Sequence, residues 1–200
     1  MAAEAHTPAG QEAATSTGLD NRKLAMWAFL GSEALFFGAM ISTYLLYRNR
    51  VPRGPHPTDV YDIPYTSVSS FVLLMSSVTM VLALSAIQRG DHRQLRTWLL
   101  ATALLGSVFI GGQVFEFTEF VHNGFTMRSS AAGSAFFMLT GFHGAHVTVG
   151  IVMLLSLVYM SLLGRLSRHD SLRVELVGLY WHFVDIVWIV IFTVVYLIPQ

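Results

Sequence analysis

The chain has 200 residues, 54% of them hydrophobic and 12% charged, with a formal net charge of zero. Soluble domains carry about 25% charged residues, so this composition excludes an ordinary soluble globule, and the balanced charge offers nothing to nucleic acid. There are no cysteines, which excludes disulfides, thiolate metal sites and cysteine nucleophiles.

Residues 1–20 are small and polar, without Lys, Arg or an apolar stretch, and read as a flexible tail rather than a signal peptide. From residue 21 to residue 200 the chain reads as one transmembrane domain. Five apolar runs reach spanning length, at about 24–46, 67–87, 95–121, 133–163 and 177–198. They are too long and continuous for barrel strands, and a backbone in hydrocarbon must satisfy its own hydrogen bonds. The expected fold is therefore all-α and polytopic: five transmembrane helices in one bundle.

The first span follows Arg22-Lys23 and carries Glu33 near the depth of the bilayer midplane. Residues 48–65 hold Pro52, Pro55, Pro57 and Pro64 and read as a loop. The second span carries Ser69, Ser70, Ser76, Ser77 and Thr79, small hydroxyl residues suited to close approach and hydrogen bonding between helices. A basic turn around Arg89-Gly90-Asp91 leads to the third span. Its end holds Gln113, Glu116 and Glu119, the two acids sharing a face at what reads as a partly wet helix end. The fourth span carries Gly141-Phe142-His143-Gly144-Ala145-His146, with glycines read as close-packing positions and the histidines on one face. Residues 164–176 read as a loop.

The fifth span, 177–198, organises the rest. Its first half, Tyr180-Trp181-His182-Phe183-Val184-Asp185-Ile186-Val187-Trp188, puts a histidine and an acid on one helical face, with two tryptophans seven apart. Ionisable groups within a span face protein or water, because exposing them to lipid costs a few kcal/mol or more. Trp27, Trp98, Tyr44, Tyr47 and Tyr65, near span ends, read as interfacial anchors. Eight basic residues (Arg22, Lys23, Arg89, Arg93, Arg96, Arg165, Arg168, Arg173) flank one side and four (Arg48, Arg50, Arg53, Arg128) the other. The positive-inside bias then puts the N-terminus in the cytoplasm and the C-terminus outside.

Each polar site has two readings. Glu33 is a protonatable group or an anchor for a lipid or partner chain, or else a neutral acid sharing a hydrogen bond inside the bundle. His143 and His146 are metal or haem ligands, with His182 as a partner across the bundle, or else hydrogen-bond neighbouring helices. No HExxH or paired ExxH pattern supports the metal reading. His182 and Asp185 are a proton relay or an interhelical polar clamp near the cytoplasmic end of the fifth helix.

These motifs, in this order, resemble subunit III of the haem–copper terminal oxidases: Ser32-Glu33-Ala34-Leu35-Phe36-Phe37, Arg89-Gly90-Asp91, Gln113 with Glu116 and Glu119, Gly141 to Val147, and Tyr180 to Trp188. The resemblance covers about residues 24–198 and is to the five-helix bacterial form. It implies a multi-pass protein of the bacterial inner (plasma) membrane. It also implies an accessory subunit without its own catalytic, cofactor or metal site, haem and copper residing in partner subunits. The implied partners are subunit I as the main contact, subunit II, and phospholipid, with cytochrome c or quinol reached through the complex. The implied role is support of sustained proton uptake by a proton-pumping oxidase. The mitochondrial-like spellings around Glu33 and His182 favour cytochrome c as donor over a quinol oxidase or a nitric-oxide-reductase-type complex. Glu33, His143, His146, His182, Asp185, Glu116 and Glu119 are the candidates for buried polar, lipid or subunit contacts. Two readings of other classes are a stand-alone haem or metal redox enzyme built on His143, His146 and His182, and a proton channel using Glu33 and Asp185.

Overall fold

The computed structural model describes residues 20–48 and 63–198. The 1–20 tail up to residue 19, the prolines at 52, 55 and 57, and Arg50 and Arg53 lie outside the described residues. Five helices are long and apolar enough to cross a membrane. They are α1 (Asn21–Tyr47), α2 (Ile63–Arg89), α3 (His92–His122), α4 (Ala131–Leu162) and α5 (Ser171–Phe192). A 3₁₀ turn, Arg168–Asp170, precedes α5, and a π-helical turn, Thr193–Leu197, follows it.

Polar caps start α1, α3 and α4. Asp20 accepts from the Arg22 N–H, Asp91 from those of Arg93 and Gln94, and Ser130 from that of Gly133. Three glycines with positive φ, Gly90, Gly124 and Gly164, end α2, α3 and α4. After each, the next residue's N–H reaches back to close the turn: Asp91 to Ala86, Phe125 to Phe120 and Arg165 to Met160. This is the Schellman arrangement, and it needs a left-handed residue that glycine adopts without a Cβ clash. Gly90→Ala is expected to cost about 1 kcal/mol, read as a lower melting temperature of the solubilised protein.

Two boundaries differ from expectation. The fifth helix begins at Ser171, so residues 171–176 are helical rather than loop. A capping box sets the entry, with the Ser167 backbone N–H and side-chain hydroxyl both donating to Asp170 Oδ2. Hydropathy alone missed this stretch because it carries Arg173 and Glu175; Glu175 is held by Lys23 Nζ at 2.7 Å, tying the starts of α1 and α5. The longer helix moves His182 and Asp185 from near its end to mid-length. Pro64 sits inside the first turn of α2 rather than in a loop. There its missing N–H removes no hydrogen bond, since a first-turn N–H has no intrahelical acceptor.

Packing is uneven. Helix α2 lies against α3 and α5, α4 against α3, α1 and α5, and α1 mainly against α4 and α5. Helix α1 is thus the least embedded, with Leu35 78% exposed. The indole of Trp181, at the bundle centre, is fully buried between α3 and α4. A Cβ on Gly106 would lie 2.6 Å from its Cη2, and one on Gly150 2.8 Å from its Cε3 and Cζ3. Gly106 and Gly150 are therefore the glycines that admit the Trp181 indole. Among the described residues, a Cβ on Gly141 would meet nothing within 4 Å and one on Gly144 only Ile110 at 3.9 Å, so the close-packing reading of those two does not hold within the chain. Tyr44 is also corrected: it is completely buried in the core and is no interfacial anchor, whereas Trp27 is exposed.

Candidate functional site

The serines of α2 and the polar face of α5 form one seam. Trp181 Nε1–H donates to Ser76 Oγ and Trp188 Nε1–H to Ser70 Oγ, each at 2.8 Å. Between them, Ser77 Oγ lies 3.0 Å from His182 Nδ1 and donates to Asp185 Oδ2. A hydroxyl has one proton, so the two bonds run in one sense at a time: with Asp185 ionised, Ser77 donates to the carboxylate and His182 donates from Nδ1; with Asp185 protonated, both bonds reverse. The order is imidazole, hydroxyl, carboxylate. A nucleophilic triad requires the imidazole in the middle, so Ser77 is not activated for attack. Of the serines expected to bond across an interface, Ser70, Ser76 and Ser77 do so, and Thr79 meets Thr102 of α3 at 2.8 Å.

His182 and Asp185 do not bond to each other; Ser77 joins them. His182 therefore keeps a partner when Asp185 is removed. Asp185→Leu leaves the His182–Ser77 bond in place and is expected to cost about 1 kcal/mol for the one lost hydrogen bond. Comparable yields of intact protein from Asp185→Leu and wild type, with a small drop in melting temperature, would bear this out.

A second cluster joins α1 to α4. Glu33 Oε2 lies 3.1 Å from His146 Nε2, and His146 Nδ1 lies 2.7 Å from the Phe142 carbonyl. A carbonyl only accepts, so Nδ1 bears a proton. The contact with Glu33 then forms in two ways: a neutral acid donating to Nε2, or an imidazolium donating to a carboxylate. Both leave the pair with zero net charge, which suits mid-membrane depth. Tyr180 Oη–H donates to the His146 carbonyl at 3.0 Å, bringing α5 to the same place. Glu33→Gln is expected to leave folding largely intact, because the amide is near-isosteric and still donates to Nε2; a matching melting curve checks it.

His143 does not join this cluster. It is 1% exposed, stacks on Trp188 at a centroid distance of 4.9 Å, and meets Phe109 and Phe37 edge-on. Neither ring nitrogen has a hydrogen-bond partner among the described residues. The two histidines of the fourth helix thus serve different surroundings, and one face does not make them a pair of ligands. Among the described residues no group of three or more His, Asp or Glu side chains gathers as a metal site.

Glu116 and Glu119 also part company. Glu119 is exposed, but Glu116 is buried, not at a wet helix end. Its Oε1 accepts from Thr66 Oγ1 at 2.6 Å and Tyr196 Oη at 3.2 Å, and Oε2 from Gln113 Nε2 at 3.2 Å. This hub joins α2, α3 and the π-helical turn after α5. Gln113 three residues before Glu116 was legible as a helical neighbour. Thr66 and Tyr196 carried no local signal, because only the register between helices brings them in.

Known proteins match this sequence along nearly the whole chain. The family model described as cytochrome c oxidase subunit III matches residues 2–199. Cytochrome c oxidase subunit 3 of Bacillus sp. (strain PS3) is 36% identical over 98% of this chain and 95% of its own. The protein of the same name from Bacillus subtilis (strain 168) is 38% identical over 95% and 92%. Quinol oxidase subunit 3 of Bacillus subtilis (strain 168) is 37% identical over 87% and 85%. With five spanning helices and a match from end to end, the chain belongs to the cytochrome c oxidase subunit III family, which takes in the quinol oxidase subunits as well.

Proposed function

We propose that this chain is the cofactor-free accessory subunit of a proton-pumping cytochrome c oxidase in a bacterial inner membrane, with its N-terminus in the cytoplasm. It packs on subunit I beside subunit II, holds phospholipid and sustains proton uptake. The observation that carries the reading is how the polar side chains are used. Glu33, Glu116, His146, His182 and Asp185 each bond to another helix or to a side chain bound there, which is scaffold chemistry. An apolar groove of about 560 Å³ between α1 and α4, lined by Phe36, Met40, Tyr47, Met138 and Phe142, supports a lipid-holding role. Cytochrome c is favoured as donor because the cytochrome c oxidase relatives match 98% and 95% of the chain, against 87% for the quinol oxidase subunit.

Native mass spectrometry of gently solubilised membranes tests the assembly: the chain is expected in one particle with a large haem-bearing subunit. Recovery as a lone protein would count against the proposal. Membranes lacking the chain are expected to lose sustained oxidation of reduced cytochrome c while quinol oxidation persists; the reverse pattern would make the complex a quinol oxidase.

A further inference from the structure

We propose that His182, Ser77 and Asp185 form a proton-exchange relay, in which a proton taken up at the surface edge of His182 loads the buried carboxyl of Asp185. The inference goes beyond the scaffold reading and holds for either electron donor. Three observations carry it. First, the bonds are continuous: His182 Nδ1 to Ser77 Oγ at 3.0 Å, and Ser77 Oγ to Asp185 Oδ2. Second, the two ends differ in access. Asp185 is 2% exposed, whereas His182 is half-buried and its Nε2, bonded to nothing among the described residues, is not among the enclosed atoms. Third, Asp185 has no countercharge beside it. No salt bridge among the described residues reaches it, and its Oδ1 is buried without a hydrogen-bond partner.

The step balances without any change in heavy-atom bonds. A proton binds His182 Nε2, the Nδ1 proton passes to Ser77 Oγ, and the Ser77 proton passes to Asp185 Oδ2. One proton has been taken up. Asp185 is neutral, His182 is neutral in its other tautomer, and both hydrogen bonds have reversed direction. The other titratable groups at mid-length on helices packed against α5 are His143 and His146 of α4 and Glu33 of α1. None bonds to a member of the relay. At this depth the open edge of His182 faces protein or water rather than hydrocarbon, so the proton arrives from a neighbouring subunit or from water at its interface.

Infrared difference spectroscopy on the native membrane assembly tests the relay. The carboxyl C=O band that disappears in Asp185→Asn reports Asp185, and its shift on transfer to D₂O reports exchange. The wild-type band is expected to shift rapidly. Ser77→Ala is expected to keep the band and slow its shift by roughly 10²-fold, with Ser77→Thr restoring the wild-type rate. His182→Leu, at a half-buried position that leaves the Ser77–Asp185 bond intact, is expected to slow the shift likewise, and stands in if Ser77→Ala does not assemble. Wild-type exchange rates in Ser77→Ala or His182→Leu would overturn the relay, as would the absence of any band lost in Asp185→Asn.

Discussion

Alanine at Gly150 or Gly106 is expected to destabilise the bundle by about 2–3 kcal/mol, while alanine at Gly141 or Gly144 is expected to be neutral or slightly stabilising. Each of the first two substitutions would drive a methyl group to within 3 Å of the Trp181 indole, from opposite helices. The ring cannot move aside freely. Its Nε1–H is bound to Ser76 on α2, so retreat from α3 or α4 gives up that bond and leaves a buried donor without an acceptor. Interiors packed to crystal-like density transmit such a displacement rather than absorb it. Gly141 and Gly144 have no such neighbour, and glycine within a helix is less favourable than alanine by roughly 0.5–1 kcal/mol. Melting temperatures of the four purified variants separate the two pairs. Gly150→Ala should cost less in a Trp181→Leu background than in wild type, because the obstructing ring is gone. Equal melting temperatures for Gly150→Ala and Gly141→Ala would refute the account.

This contrast marks how far the residues could be read before the structure. Helix number and approximate span positions follow from hydrocarbon length, a property each segment carries by itself. The importance of the stretch from Tyr180 to Trp188 was equally legible, because charged and indole side chains in a span demand partners wherever they are. So was the seam of serines on α2, since hydroxyls at close helical spacing have few other uses in lipid. The pairings were not legible. Ser77 between His182 and Asp185, Glu33 on His146, and Thr66 and Tyr196 on Glu116 each join residues far apart in sequence. They depend on the rotation and sliding of one helix against another, which no single segment encodes. The glycines show the same limit. Gly141 and Gly144 sit in a conspicuous motif and touch almost nothing, while Gly106 and Gly150 carry no motif and enclose the central indole.

A common electrostatic theme links the polar contacts. The Glu33–His146 pair shares one mobile proton and stays neutral overall in either form. The Asp185 site reaches its neighbour through a hydroxyl, which donates or accepts as needed. Polar groups within a bilayer are tolerated when they can be neutral or paired, and both devices achieve this without a fixed cation. The formal charges lie at helix ends instead, as in the Lys23–Glu175 contact, where both side chains are a third exposed. Water screens that contact, and a pair of this kind contributes below about 1 kcal/mol.

Glu116→Leu is expected to be the most damaging single polar change in the chain, and Glu116→Gln nearly silent. Leucine removes both acceptor oxygens at once and so breaks the bonds from Thr66, Tyr196 and Gln113 in a buried site. Each lost hydrogen bond costs about 1 kcal/mol or more, so losing the three together should cost about 3 kcal/mol. It should also release the π-helical turn, since Tyr196 is the residue of that turn that reaches Glu116. Glutamine keeps one oxygen for Thr66 and Tyr196. Its new NH₂ group would face the Gln113 amide nitrogen, but Gln113 can rotate its amide by half a turn to present oxygen and restore the bond. The expected pattern is a lower yield and melting temperature for Glu116→Leu, with faster hydrogen exchange at the C-terminal end of α5, against values within about 1 kcal/mol of wild type for Glu116→Gln. Glu119→Leu, at the exposed position one turn on, serves as the control and should leave the fold unchanged. If Glu116→Leu and Glu119→Leu melted together, the three hydrogen bonds to Glu116 would contribute nothing to holding α2, α3 and the end of α5 in register.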